Sequence, residues 1–180
     1  MNTHRCARLF PLLLLLCGAC AGGADFILTE FMAANTTILA DEDGAFPDWI
    51  EIHNPTGSSA SLGGWFLTDD HGDRTKWQFP AIDLAANGYL VVFASDKDRR
   101  VGGAPLHTNF RLDAAGAYVA LVRPDGVIAV EFGPGGTLYP PQLEDISYGL
   151  TADTPAEVKY FTTPTPGAPT PTVERRATPA

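Results

Sequence analysis

Trp49-Ile50-Glu51-Ile52-His53 alternates apolar and polar side chains and is closed by Asn54-Pro55-Thr56-Gly57. A period of two puts Ile50 and Ile52 on one face of an extended chain, and the residues that follow are turn chemistry. The same short unit recurs along the sequence. Phe26-Ile27-Leu28 precedes it, and residues 62–67, with Gly63-Gly64 before Trp65-Phe66, read as a further strand. Lys76-Trp77-Gln78-Phe79 alternates until Pro80, and Asn87-Gly88 forms a turn before Tyr89. Residues 89–94 are continuously apolar and read as a central strand buried on both sides. Residues 118–122 and 127–130 flank Pro124-Asp125-Gly126, a hairpin signal. About eight or nine such strands imply an all-β domain, either a sandwich or a closed barrel.

Helical signal is thin. Gly and Pro number 18 and 15 and interrupt most windows of helix length. Residues 24–43 are free of both, but 33–40 show no sustained helical stripe, leaving room for one turn of helix at most. Trp49, Trp65 and Trp77 all sit in apolar strand contexts and read as core. Tyr139-Pro140-Pro141 reads as a loop presenting an exposed aromatic ring.

The first residues read as an address. Arg5 and Arg8 precede a nearly unbroken apolar run to Cys17, and small residues follow through Ala24. A charged start, a short apolar centre and a small-residue exit describe a secretory signal peptide over residues 1–21. The run is about half of the ~20 residues a membrane span needs. Ala19-Cys20-Ala21 fits cleavage after Ala21; Gly18-Ala19-Cys20 fits lipidation at Cys20. The expected location is secreted or cell-surface, with membrane contact only if Cys20 is lipidated. Cys6, Cys17 and Cys20 all lie here, so the folded part holds no disulfide, thiolate metal site or Cys nucleophile. At the other end, eleven of residues 162–180 are Thr or Pro. Residues 166–180 therefore read as a linker or disordered tail behind a domain of residues 22–165.

The charge is −9, and loss of Arg5 and Arg8 leaves ten basic residues against twenty-one acids. That balance opposes a nucleic-acid partner, whose phosphates need clustered Lys and Arg. Two acidic groups stand out: Asp41, Glu42, Asp43, Asp48 and Glu51, then Asp69, Asp70 and Asp73. Oxygen ligands on Gly-containing loops suit Ca²⁺, and Asp41, Asp43, Asp48 and Glu51 are the candidate ligands. The competing account is a solvated acidic loop that keeps an exported protein soluble. Catalytic patterns are lacking: His53, His71 and His107 are far apart, and neither Gly-x-Ser-x-Gly nor His-Glu-x-x-His occurs. Gly133-Pro134-Gly135-Gly136 reads as a loop, with no helix after it to cradle a phosphate. Asn35-Thr36-Thr37 is a formal glycosylation acceptor that reads as a polar turn.

The strand motifs carry a resemblance. Residues 26–33, Asp41-Glu42-Asp43-Gly44, residues 47–55, Leu62-Gly63-Gly64-Trp65, Lys76-Trp77-Gln78-Phe79-Pro80 and Gly88-Tyr89-Leu90-Val91 together resemble a bacterial lamin tail domain. Residues 106–112, Ile146-Ser147-Tyr148-Gly149 and residues 160–167 extend the likeness. The resemblance implies an immunoglobulin-like β-sandwich and no catalytic residues. It also implies a structural, spacer or adhesive role in an exported protein. The residues themselves lead to an expectation of no cofactor, with Ca²⁺ at the acidic loop as the alternative. The alternatives are a Ca²⁺- or glycan-binding module of a larger extracellular protein, or the first part of an exported hydrolase-like protein. The partners implied are a protein or an extracellular glycan.

Overall fold

The computed structural model describes residues 26–152 and 156–171. The expected leader, with Cys20, and residues 172–180 of the tail lie outside them. The strands are β1 (Ile27–Met32), β2 (Asp48–His53), β3 (Ala60–Ser61), β4 (Phe66–Thr68), β5 (Trp77–Gln78) and β6 (Asp83–Leu84). They continue as β7 (Tyr89–Ala94), β8 (Leu106–His107), β9 (Val119–Val122), β10 (Ile128–Phe132), β11 (Ser147–Leu150) and β12 (Val158–Phe161). Among the described residues the only helical element is a short 3₁₀ turn, Pro134–Gly136. Twelve strands exceed the eight or nine expected because β3, β6 and β8 are two-residue pairings too short to read from a pattern.

Two sheets face each other, as in an immunoglobulin-like sandwich. One runs β12-β11-β1-β2-β7-β8 and the other β10-β9-β4-β5, with β3-β6 as a small separate ribbon. All pairings are antiparallel except β7 with β8, where Phe93 lies opposite His107. The expected face of β2 is confirmed: Ile50 and Ile52 are wholly buried beside Leu28, Phe31 and Val92. Leu67, Trp77, Val119, Leu121 and Phe132 meet them from the second sheet. A bulge between Leu28 and Glu30 keeps both Leu28 and Phe31 facing inward although they are three positions apart. Trp49, Trp65 and Trp77 are buried, as their contexts implied.

Because six strands face four, the inner side of β11 and β12 reaches past β10. Val158 and Tyr160 there stay 47% and 41% exposed. The outer side of the wider sheet, in contrast, is covered. Residues 33–47 lie over Met32, Trp49 and Phe93, with Leu39 packed on them. Residues 162–171 cross its middle.

Several local expectations are corrected. Residues 62–65 are a tight turn rather than strand: the Trp65 N–H reaches the Leu62 carbonyl at 3.0 Å and Gly64 has φ +85°. Residues 89–94 form a strand one from the sheet's edge, half-buried until Val92. Tyr139 is buried rather than exposed; its ring lies 4.7 Å from Phe31 and its hydroxyl donates to the Asp113 carbonyl at 3.0 Å. The tail segment read as linker from residue 166 packs on the domain as far as Thr170, which is buried and donates to the Leu150 carbonyl at 2.7 Å.

Candidate functional site

At one end of the wide sheet β2 begins and β7 finishes, and the turn at residues 41–45 meets residues 95–99. Asp41 organises the turn. Its N–H donates to the Ala45 carbonyl at 2.8 Å, and its Oδ1 accepts the N–H groups of Asp43 (3.0 Å) and Ala45 (2.9 Å). Gly44 closes the turn at φ +76°, a conformation that favours glycine. Lys97 Nζ pairs with Asp41 and, at 2.6 Å, with Asp43. Arg99 pairs with Glu42 and, at 2.7 Å, with Asp43.

Beneath this network lies His107, wholly buried and stacked on Phe93 at 5.1 Å. Its Nε2 is 3.0 Å from Glu42 Oε2 and its Nδ1 is 2.8 Å from Ser95 Oγ. In the neutral imidazole, Nε2 donating to Glu42 leaves Nδ1 to accept from the Ser95 hydroxyl. His107, then Arg99, hold the Glu42 carboxyl at about 2. Arg99, then Lys97, hold Asp43 at about 2. Burial of Asp41 works the other way, but Lys97 and the turn N–H groups together bring it below the ordinary carboxylate range.

The four candidate calcium ligands do not converge. Asp41 and Asp43 come together, with Lys97 between them. Strand alternation puts Asp48 and Glu51 on opposite faces of β2. Among the described residues, the set close enough to share a metal is Asp41, Glu42 and His107, with ligand atoms within 4.8 Å of one another. Lys97 and Arg99 already neutralise its carboxylates. Sequence reasoning missed Ser95, Lys97, Arg99 and His107, because Glu42 and His107 are 65 positions apart and meet only through the β7–β8 register.

Hydroxyl, imidazole and carboxylate in a row have the residue types of a catalytic relay. Here, however, the imidazole is sealed under Phe93, Ser95 is 6% exposed and Glu42 is ion-paired to Arg99. The chemistry this permits is bracing: the relay ties the 41–45 turn to the end of β7.

Next to the braced turn opens a cleft of about 350 Å³, lined by Phe46, Pro47, Asp48, Ser95, Lys97 and Arg111 among others. The Asp48 carboxylate accepts the Asn35 N–H at 3.3 Å and has no other hydrogen bond among the described residues. Burial lifts its carboxyl to about 6, against the pull of Arg111. Asn35, the formal glycosylation acceptor, is buried, and its amide donates to the Leu39 and Pro47 carbonyls at 2.7 Å each.

Glu51 serves a different place. On the outer face it stands opposite Glu30, both wholly buried. It accepts the Thr29 hydroxyl at 2.6 Å and the Gly167 N–H at 2.7 Å. Glu30 accepts the Ser147 hydroxyl and, from Thr165, the N–H at 3.1 Å and the hydroxyl at 2.7 Å. Burial first, with Glu30 adding, pushes Glu51 up to about 7 despite its donors.

A sandwich of this topology, with no open catalytic constellation among the described residues, matches one family over residues 22–135. The chain belongs to the lamin tail domain family. The match bears out the lamin tail domain part of the resemblance that the strand motifs carried. Lamin tail domains are generally non-enzymatic, and the immunoglobulin-like fold supports a non-catalytic β-sandwich module. The match ends before β11 and β12, the strands that complete the wide sheet of this lamin tail domain. A search of curated proteins found no match.

Proposed function

We propose that the protein is an exported, non-catalytic lamin tail module with a structural, spacer or adhesive role. It would meet a protein or an extracellular glycan. One observation carries this reading: the Thr/Pro-rich segment leaves β12 at an edge and is fastened back across the middle of the sheet by Glu30 and Glu51. Those two residues sit on β1 and β2, the adjacent central strands. Tension on the tail is thereby passed to the middle of the sheet rather than peeling the edge strand. A spacer needs such an attachment. The apolar start of the sequence supports export through a signal peptide, with lipidation at Cys20 as the route to a membrane. The net charge of −9 turns the module away from nucleic acid.

Single-molecule pulling of the full chain from both ends tests the attachment. The expected trace shows a distinct release of residues 162–171, about 35 Å of chain, before or together with cooperative unfolding. Release of that segment at no measurable force would sink the reading.

A further inference from the structure

We propose that the cleft between the 45–48 segment and the end of β7 binds a neutral saccharide unit. Asp48 accepts from its hydroxyls, Arg111 donates to its oxygens, and Phe46 lies against its C–H face. The inference builds on the interaction role above and names its partner class. The two fail separately: a tail that peels freely leaves the cleft untouched, and an inert cleft leaves the anchored tail untouched.

The polar groups of the cleft are unfinished. Asp48 is half-buried at the start of β2, yet among the described residues its carboxylate has a single hydrogen bond, the 3.3 Å N–H contact. A carboxylate taken partly out of water normally collects more donors than that. Arg111 is exposed at the rim and feels Asp48 electrostatically, and its guanidinium has no hydrogen-bond or ion-pair partner among the described residues. Its fork of N–H groups is free to donate. Ser95, on the cleft wall, is opposite Arg111 in an isolated bridge. An unspent acceptor and an unspent planar donor therefore share one concave surface.

Charge decides between ligand classes. Lys97 also lines the cleft, with Asp41 and Asp43 on its ammonium. An anion drawn to Arg111 meets Asp48, and a cation drawn to Asp48 meets Arg111 and Lys97. A neutral polyol meets no like charge and offers donors and acceptors on adjacent carbons. The remaining walls are apolar: Phe46 is 42% exposed, with Ala45, Pro47 and Ala94 beside it. A pyranose ring has the matching profile, hydroxyls at its rim and C–H groups on its face.

The wall is held rigid by the hydrogen bonds and ion pairs of the acidic turn. Asp41 holds the Ala45 N–H and carbonyl, Lys97 holds Asp41, and the Glu42–His107–Ser95 relay anchors the same turn. The charge network thus shapes the cleft instead of binding the ligand, and a preformed site loses less on binding.

The test is titration of the isotope-labelled full chain, followed by backbone amide NMR. The probes are the methyl glycosides of glucose, galactose, mannose and N-acetylglucosamine. A ligand of about a dozen heavy atoms sets a dissociation constant on the order of 1 mM. At least one glycoside should give saturable shifts at Asp48, Ser95 and Arg111. Asp48→Asn and Arg111→Ala should each weaken that binding about tenfold or more, as expected for losing a hydrogen bond to a charged group. Phe46→Ala, at an exposed position, should weaken it while leaving the thermal midpoint unchanged. No saturable shift with any glycoside up to about 50 mM, roughly fifty times the expected constant, overturns the proposal. So does binding that both Asp48→Asn and Arg111→Ala leave intact, or tighter binding of glucuronate or methylamine than of every neutral glycoside.

Discussion

Replacing Glu51 by Gln should make the domain more stable at pH 8 and leave it nearly unchanged at pH 4.5. In the folded chain the Glu51 carboxyl is raised from 4.5 to about 7, chiefly by burial, with Glu30 opposite and the Thr29 and Gly167 donors opposing the shift. A folded-state value above the unfolded one means that the native state keeps a proton the unfolded chain releases. The resulting stability is therefore fully present below about 4.5 and is lost as pH rises through about 7. A shift of that size corresponds to roughly 3 kcal/mol between the two limits. Asp48, raised to about 6 by burial, slopes the same way, so the parent protein alone cannot isolate Glu51. Glutamine carries no ionisable proton and keeps a carbonyl to accept from Gly167. Urea unfolding of both proteins at a series of pH values from 4.5 to 8 reads the difference. The gap should open with pH, the variant becoming the more stable by up to roughly 3 kcal/mol at pH 8. A gap that stays constant across the series would refute the assignment of a buried, reluctantly ionised carboxylate at this position.

Below pH 4 the slope should reverse. Glu42, Asp43 and Asp145 are held at about 2 by their partners, so the stability they add is complete above the ordinary carboxylate range and lost as pH falls towards 2. Acid titration by far-UV circular dichroism should show that loss, and a flat response would count against the charge network. Thermal melts of the full chain in millimolar Ca²⁺ and in EDTA should superimpose, because Lys97 and Arg99 occupy the carboxylates of the acidic turn; a midpoint raised by several degrees in Ca²⁺ would overturn that. Gly149→Ala should cost about 3 kcal/mol or more in urea unfolding, since its Cβ would stand 2.1 Å from the Thr29 carbonyl oxygen across the β1–β11 pair. Asp145→Ala should speed amide exchange at Thr36 and Thr37, whose N–H groups donate to Asp145 at 2.7 and 3.0 Å, without altering exchange in β9.

The inward face of the sandwich was legible because it follows a local period. Ile50 and Ile52, Trp65 and Trp77, and the hairpin at Pro124-Asp125-Gly126 all announce themselves within a few residues. What lay beyond reach was determined at long separation. Glu51 reads as a polar outward residue, and it does point outward; it is buried because Gly167, 116 positions later, lies on it. Tyr139 reads as a loop aromatic since nothing nearby shows that Asp113 supplies its hydroxyl with an acceptor. Residues 62–67 carry enough apolar character for a strand, yet Gly64 in a left-handed conformation turns the chain before Phe66. The acidic cluster was visible as charge, but its cations, Lys97 and Arg99, sit more than fifty positions downstream. A spacing-based search for metal ligands cannot see such neutralisation.

The fastening of β1 also bears on when this chain can fold. β1 leaves the ribosome before the other described strands, and one of its neighbours, β11, pairs with it through Glu30 and Gly149. The Glu30 carboxylate has its donors at Ser147 and Thr165, some 117 and 135 positions later. Until that last stretch has been synthesised, β1 keeps an open edge and a carboxylate that cannot be buried without its partners. Contacts this distant in sequence close slowly. Under the proposed export, a chain threaded unfolded through a narrow translocation pore would gain time from such an order of events: residues 147–165, which complete the sheet, follow β1 by more than a hundred positions.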